Sequence, residues 1–318
     1  MQVQNNKDLP RSQDISVFTQ KKKSTYKLVD SLRRLHYDGR ANRILGCGNY
    51  LQFAVHKETG ERHLIGADFC RDRLCPMCNW RRSLRIFADF SKVLDAALDG
   101  TGYKPVFLTL TVRNCAPEEL KSEVVSLFAA WKRFCKILPI KRAYIGWFRC
   151  LEVTYNSEKN TMHPHLHAVL LARSDYFESD YYLDVREIKA YWQQAAMIDY
   201  DVIVHIERIR NKKTGCVDLD AVRKAVMETT KYTFKDSEFL IDGNDELTDY
   251  LIDNLLQALH GARLVAYGGV LKTLAAAIKA ADDVDDLDRI RELINNNHFV
   301  YIVEQLRWTA GIGKYVCD

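Results

Sequence analysis

The sequence predicts an α+β protein in which a central antiparallel sheet carries helices on its faces. Three observations predict it: two long strand-like stretches flank a short turn, a third strand signal precedes them, and segments of helical periodicity lie on either side.

The paired stretches come first. Tyr144 to Tyr155 is rich in aromatic and β-branched residues, Asn156 to Thr161 supplies turn chemistry, and His163-Pro164-His165-Leu166-His167 then runs straight into Ala168, Val169, Leu170 and Leu171. If the six residues 156–161 form the loop, Tyr155 pairs with Met162, and counting back sets Glu152 opposite His165 on the same face. A slip of one residue would turn Glu152 away. Alternate strand residues share a face, so His165 and His167 project together with Cα atoms roughly 6.7 Å apart, within reach of one divalent ion. A His-His-carboxylate set leaves coordination positions open to water or a phosphate oxygen, as catalytic rather than closed structural sites do. His163 lies on the same face and is the rival third ligand, although Pro164 beside it is expected to bend the strand.

The third strand is Val106 to Val112, preceded by Pro105, with alternating Thr and Leu toward its end. Residues 86–100 and 118–136 read as amphipathic helices flanking it. Leu219, Val222 and Val226 recur at helical spacing after Asp218, a candidate N-cap, and predict a helix running to Phe234. On that helix Glu228, Tyr232 and Lys235 fall at i, i+4 and i+7 and share one face. A tyrosine beside a carboxylate and an ammonium, in a protein with an open metal site, suggests attack of a phenolate on a phosphodiester. Lys235 would offset the developing negative charge, needed because a free phenol ionises only near pH ~10. Glu228 would activate a water for a later step. Leu271, Leu274, Ala275 and Ile278 predict a packed helix, and residues 299–303 a short strand.

Nine cysteines with no leader-like segment lead to the expectation of a reducing cytoplasm, where thiols hold metal more often than they bridge. Cys70, Cys75 and Cys78 cluster around a Cys-Pro-x-Cys turn, a zinc knuckle. Cys47 is the favoured fourth ligand, with His63 and His56 as alternatives. Around the knuckle stand Arg71, Arg73, Arg81 and Arg82. Residues 1–85 hold 17 Lys and Arg against 8 Asp and Glu, whereas residues 236–318 hold 7 against 15. A zinc-ordered basic module that neutralises phosphates follows from the first count, with binding that falls steeply with salt. The acidic end, with Asp282-Asp283-Val284-Asp285-Asp286, is solvated surface. With 318 residues and 47% hydrophobic composition, the chain is expected to divide into a flexible basic arm and short helix (1–40), a cysteine zinc-binding module (41–85), a catalytic domain (86–245) and a mixed C-terminal extension (246–318). No apolar run approaches the ~18 residues that span a bilayer.

The motifs Phe107-Leu108-Thr109-Leu110-Thr111, His163 to Leu170 and Glu228-Thr229-Thr230-Lys231-Tyr232-Thr233-Phe234-Lys235 together resemble the three ordered motifs of HUH endonucleases. More narrowly, they resemble the initiators of small bacterial rolling-circle plasmids. The likeness extends over residues 41–275, because Cys70 to Arg82 and His260 to Gly269 also look like that group. It implies an HUH/RRM-like catalytic domain with Tyr232 as nucleophile, His165, His167 and Glu152 as ligands of Mg2+ or Mn2+, and Glu228 as the residue that activates water to end a round. It further implies a nick at double-strand origin DNA, a 5′-phosphotyrosine intermediate, a free 3′ hydroxyl, single-stranded DNA as ligand, and a host helicase and polymerase as partners; a homo-oligomer fits it. Tyr181 and Tyr182 lie outside any motif. The rival readings are an HUH transposase or relaxase, a zinc-dependent DNA-binding regulator without catalysis, and a metallohydrolase that uses water alone.

Overall fold

A computed structural model describes residues 14–210, 219–230, 234–281 and 301–317. It contains two antiparallel sheets with helices against them, and the chain divides into two compact units, residues 1–80 with 282–318 and residues 81–281.

In the first unit, helices α1 (Ile15–Arg34) and α2 (Asp38–Leu45) precede the antiparallel strands β1 (Tyr50–His56) and β2 (Arg62–Ala67). The N-terminal segment was expected to hold a short helix, but α1 runs for 20 residues. Asp14 caps it by accepting from the Ser16 N–H at 2.8 Å, and Phe18, Leu28, Val29 and Leu32 form its fully buried stripe. Phe18 meets Phe53 edge-on, with ring centres 5.5 Å apart.

Helix α3 (Pro76–Leu98) begins in the first unit and continues into the second. There follow β3 (Lys104–Thr111), α4 (Leu120–Phe134), α5 (Leu138–Ala143), β4 (Tyr144–Asn156), β5 (Thr161–Ala172), α6 (Val185–Ala196) and β6 (Val204–Arg208). Then come α7 (Leu219–Thr229), α8 (Asp236–Phe239), α9 (Asp245–Leu259), β7 (Val265–Gly269) and α10 (Val270–Ala281). The five strands of this unit order as β6-β3-β5-β4-β7. The hairpin strand β5 is central, with β3 beside it.

Strands β8 (Tyr301–Thr309) and β9 (Lys314–Cys317) return to the first unit, where the order is β2-β1-β8-β9. The stretch 246–318, expected as one extension, therefore divides: its first part supplies β7 to the five-stranded sheet, and its last part supplies two strands to the other. No local pattern announces this, because β1 and β8 pair across about 250 residues of chain.

The faces of the five-stranded sheet differ. Phe107, Phe148, Cys150, Val169 and Leu171 pack against Phe90, Val93 and Leu94 of α3, Val222 and Val226 of α7, and Leu271 of α10. Trp131 of α4 meets Trp147 edge-on at 5.1 Å on the opposite face, and the Trp192 indole of α6 donates to the Thr111 carbonyl at 2.8 Å. Two glycines let β7 close against β4. A Cβ on Gly268 would lie 2.1 Å from the Trp147 ring, and Gly269, at φ +57°, would meet the Ile145 carbonyl at the same distance.

Among the described residues no helix is long and apolar enough to cross a membrane.

Candidate metal sites

The hairpin register is the one counted from the turn: Tyr155 lies opposite Met162, and Glu152 opposite His165. The turn is tighter than expected, since Asn156 and Thr161 still pair, and Asn160 at φ +47° completes the reversal. Pro164 does not bend the strand. The β4 ladder runs past it without a register shift, because its missing N–H falls where β3 makes no ladder contact.

Alternation then puts His165, His167, Val169 and Leu171 on one face. The apolar end of this face is roofed by α3, α7 and α10, while its polar end carries Glu152, His165 and His167. His167 Nε2 lies 2.7 Å and His165 Nε2 3.4 Å from Glu152 Oε2. One ligand atom from each of the three residues lies within 4.8 Å of the others, a group that can hold a metal ion. Burial pushes the Glu152 carboxyl up, but the hydrogen bonds from His165 and His167 outweigh it and hold it well below the usual carboxylate range.

Each ligand ring is also held from behind. Thr109, opposite His167 on β3, has its Oγ1 3.0 Å from His167 Nδ1, and the His163 carbonyl lies 3.1 Å from His165 Nδ1. These contacts leave both Nε2 atoms directed at the carboxylate. The rival ligand His163 is outside the group: its ring stacks on His165 with centres 5.0 Å apart, and burial first, then the neighbouring His165, lowers its pKa to about 4. The role of Thr109 was not read from sequence, although its place two residues before Thr111 in a β-run beside the hairpin was the available signal.

The helix expected to carry Glu228, Tyr232 and Lys235 on one face ends earlier. Helix α7 stops at Thr229, and Lys235, at φ −92° and ψ 128°, is the extended residue before α8. Just past the end of α7, Thr230 turns its hydroxyl back to the Val226 carbonyl at 2.8 Å. Lys235 is exposed and pairs with Glu238 at 3.4 Å. Glu228 belongs to α7, which packs over β5 on the histidine-bearing face. Tyr232 lies outside the described residues, as do Asp218, Cys216 and the acidic run 282–286.

In the first unit Cys47, Cys70, Cys75 and Cys78 converge. Their sulfurs are 3.5 to 3.6 Å apart along the pairs Cys47–Cys78, Cys70–Cys78 and Cys75–Cys47. That is far beyond the ~2.05 Å of a disulfide and close to the ~3.8 Å expected around a tetrahedral zinc at ~2.3 Å from each sulfur. The Arg71 N–H points at Cys78 Sγ at 3.2 Å. Asp72 braces the loop, accepting from the Leu74 N–H at 2.9 Å and pairing with Arg40 and Arg43 at 2.8 and 3.0 Å. The fully buried Lys22 donates to the carbonyls of Leu45 and Cys47 at 2.7 Å each; burial lowers its pKa while the thiols push it back up. His63 and His56 are not in the group. Arg71 is exposed at φ +58°, and Arg73, Arg81 and Arg82 are half-buried.

A His-x-His strand facing a carboxylate, on an antiparallel sheet in a chain that also gathers four cysteines, is consistent with the HUH class of DNA-processing proteins. The family comparison is specific. The model of the replication protein family Rep_1 matches residues 61–316, and the chain belongs to that family, whose members are plasmid replication initiators. It is 34% identical over 290 residues to a protein rep of a Bacillus species, covering 87% of this chain and 92% of that protein. To the protein rep of Bacillus amyloliquefaciens it is 34% identical over 302 residues, 88% and 86% of the two chains. For the protein rep of Streptococcus pneumoniae serotype 2 the figures are 29% over 300 residues, 89% and 90%. No solved structure matches the chain.

Proposed function

We propose that this initiator is a metal-dependent, site- and strand-specific DNA nickase and strand transferase of the HUH type, working through a 5′-phosphotyrosine intermediate. The observation that carries the reading is the convergence of Glu152, His165 and His167 at the polar end of the sheet face that α7 covers. Two imidazoles and one carboxylate suit Mg2+ or Mn2+ and leave coordination positions open. When bound, such an ion polarises the scissile phosphate and stabilises charge on its oxygens.

The chain's own residues supply the rest. The Tyr232 hydroxyl gives its proton to solvent as its oxygen attacks phosphorus; the bond to the 3′ oxygen breaks, that oxygen takes a proton from solvent to become the 3′ hydroxyl primer, and the 5′ phosphate stays on the tyrosine. Lys235 offsets negative charge near the phenolate. At the end of a round Glu228 takes a proton from a water whose oxygen attacks the phosphotyrosine phosphorus; the bond to the Tyr232 oxygen breaks and the phenolate regains a proton from solvent. The Cys47, Cys70, Cys75 and Cys78 group holds Zn2+, and Arg71, Arg73, Arg81 and Arg82 contact phosphates of the double-strand origin. A host helicase and polymerase take over the opened strand, in the cytoplasm.

Incubation of the protein with a labelled single-stranded origin oligonucleotide and Mg2+ or Mn2+ tests the reading. The expected result is a protein–DNA adduct on a denaturing gel that Tyr232→Phe and Glu152→Ala abolish, whereas Glu228→Ala still nicks and accumulates adduct. Absence of any nick with the wild type would favour a zinc-dependent DNA-binding regulator.

A further inference from the structure

Strand β5 carries Pro164 between two histidines, and a proline has no N–H to give to a neighbouring strand. Across from it the chain holds one residue too many. Thr111 lies opposite His165, and Cys115 exchanges both backbone hydrogen bonds with Met162 at 2.9 Å. Val112, Arg113 and Asn114 therefore face only His163 and Pro164. This is a β-bulge, a device that re-aims a side chain. Val112 turns inward and is buried, the Asn114 side-chain amide donates to Thr161 Oγ1 at 2.9 Å, and Arg113 is exposed.

The exposed arginine is held in place. Its guanidinium carbon lies 3.9 Å from the centre of the Tyr200 ring, and its backbone N–H donates to the Tyr200 hydroxyl at 3.2 Å. Tyr200 is itself tied to α6, accepting from the Gln193 side chain at its carbonyl at 2.8 Å. Three residues on, Ile203 exchanges two hydrogen bonds with the Thr111 hydroxyl at 2.8 and 3.2 Å. The platform is thus braced against the strand that faces His165. Stacking uses the face of the guanidinium and leaves its N–H edge for another acceptor. Among the described residues no carboxylate pairs with Arg113.

We propose that Arg113, laid on Tyr200, binds a phosphodiester of the single strand beside the one cut at the Glu152–His165–His167 group. The inference rests on the nicking reading for the path of the strand. The planar fork matches two phosphate oxygens, and the stack removes much of the entropy cost of ordering a long side chain. The bulge places Arg113 two residues past Thr111, the residue opposite His165.

The test is fluorescence anisotropy of a labelled mixed-sequence single strand, titrated over a range of salt concentrations. Arg113→Gln is expected to bind about tenfold more weakly at low salt, with a log K against log salt slope shallower by about 0.7, the value for one phosphate contact on a single strand. Tyr200→Leu keeps the charge, so affinity falls while the slope stays. Methylphosphonate linkages walked along the strand should reveal one position that weakens the wild type and not Arg113→Gln. An unchanged slope in Arg113→Gln, with wild-type binding intact, overturns the proposal and leaves the nicking reading standing. Loss of salt-dependent binding in the wild type overturns both. A thermal melt of Arg113→Gln matching the wild type assigns the change to the lost contact, whereas a lowered melt with an unaltered slope makes the role structural and overturns the proposal.

Discussion

Replacing Thr109 by Val keeps the shape of the side chain and removes its hydroxyl. A histidine that gives Nε2 to an ion carries its proton on Nδ1, and that proton needs an acceptor; Thr109 Oγ1 stands 3.0 Å away. Val offers that proton no acceptor. A stranded, partly buried N–H costs about 1–3 kcal/mol. With 1.4 kcal/mol per factor of ten, Mn2+ affinity is expected to fall roughly 10- to 100-fold in Thr109→Val and to recover in Thr109→Ser. Electron paramagnetic resonance of free Mn2+ during titration measures it without reference to nicking. Equal affinity in Thr109→Val and wild type, with matched melts, would refute the reasoning.

Three further outcomes are expected. The purified protein should carry one tightly held zinc per chain that survives dialysis against the weak chelators that strip the histidine site; Cys78→Ser should lose it and lower the melting temperature, and equal zinc content would count against the four-cysteine site. His163, with its pKa lowered to about 4 by burial and then by His165, stays neutral where the unfolded chain, at ~6.5, takes up a proton. Metal-free stability should therefore fall as pH drops from about 6.5 to 4, by at most ~3 kcal/mol and less given the ring's partial exposure, and His163→Gln should flatten that fall in urea titrations. Gly268→Ala drives a methyl into the Trp147 ring at 2.1 Å, so chemical denaturation should register a loss of more than about 2 kcal/mol; a neutral result would mean that β7 does not close on β4 as described.

The hairpin bearing Glu152, His165 and His167 was legible because its register depends on local arithmetic. Once Tyr155 and Met162 flank the turn, parity alone carries Glu152 to His165. The cysteine group was legible for a similar reason, since Cys70, Cys75 and Cys78 sit on one turn and the start of one helix, and only Cys47 had to be brought from afar. What escaped reading depends on competition or distance. The helix bearing Glu228 was extended past its end because the apolar spacing of Leu219, Val222 and Val226 marks a helical face and not where the helix stops. The bulge at Arg113 needs two strands to be aligned before the extra residue can be counted, and the pairing of β1 with β8 has no local signal. Glycines 268 and 269 were seen as part of a motif, but their cause is a tryptophan and a carbonyl about 120 residues upstream.

The most direct measurement is mass spectrometry of the proteolysed protein–DNA adduct formed with Mn2+. The account predicts a nucleotide joined through its 5′ phosphate to the peptide containing Tyr232, with fragment ions placing the mass on that side chain, and no such peptide from Glu152→Ala. A nucleotide found on Tyr181, Tyr182 or any other residue, or an adduct formed equally well by Glu152→Ala, would contradict it.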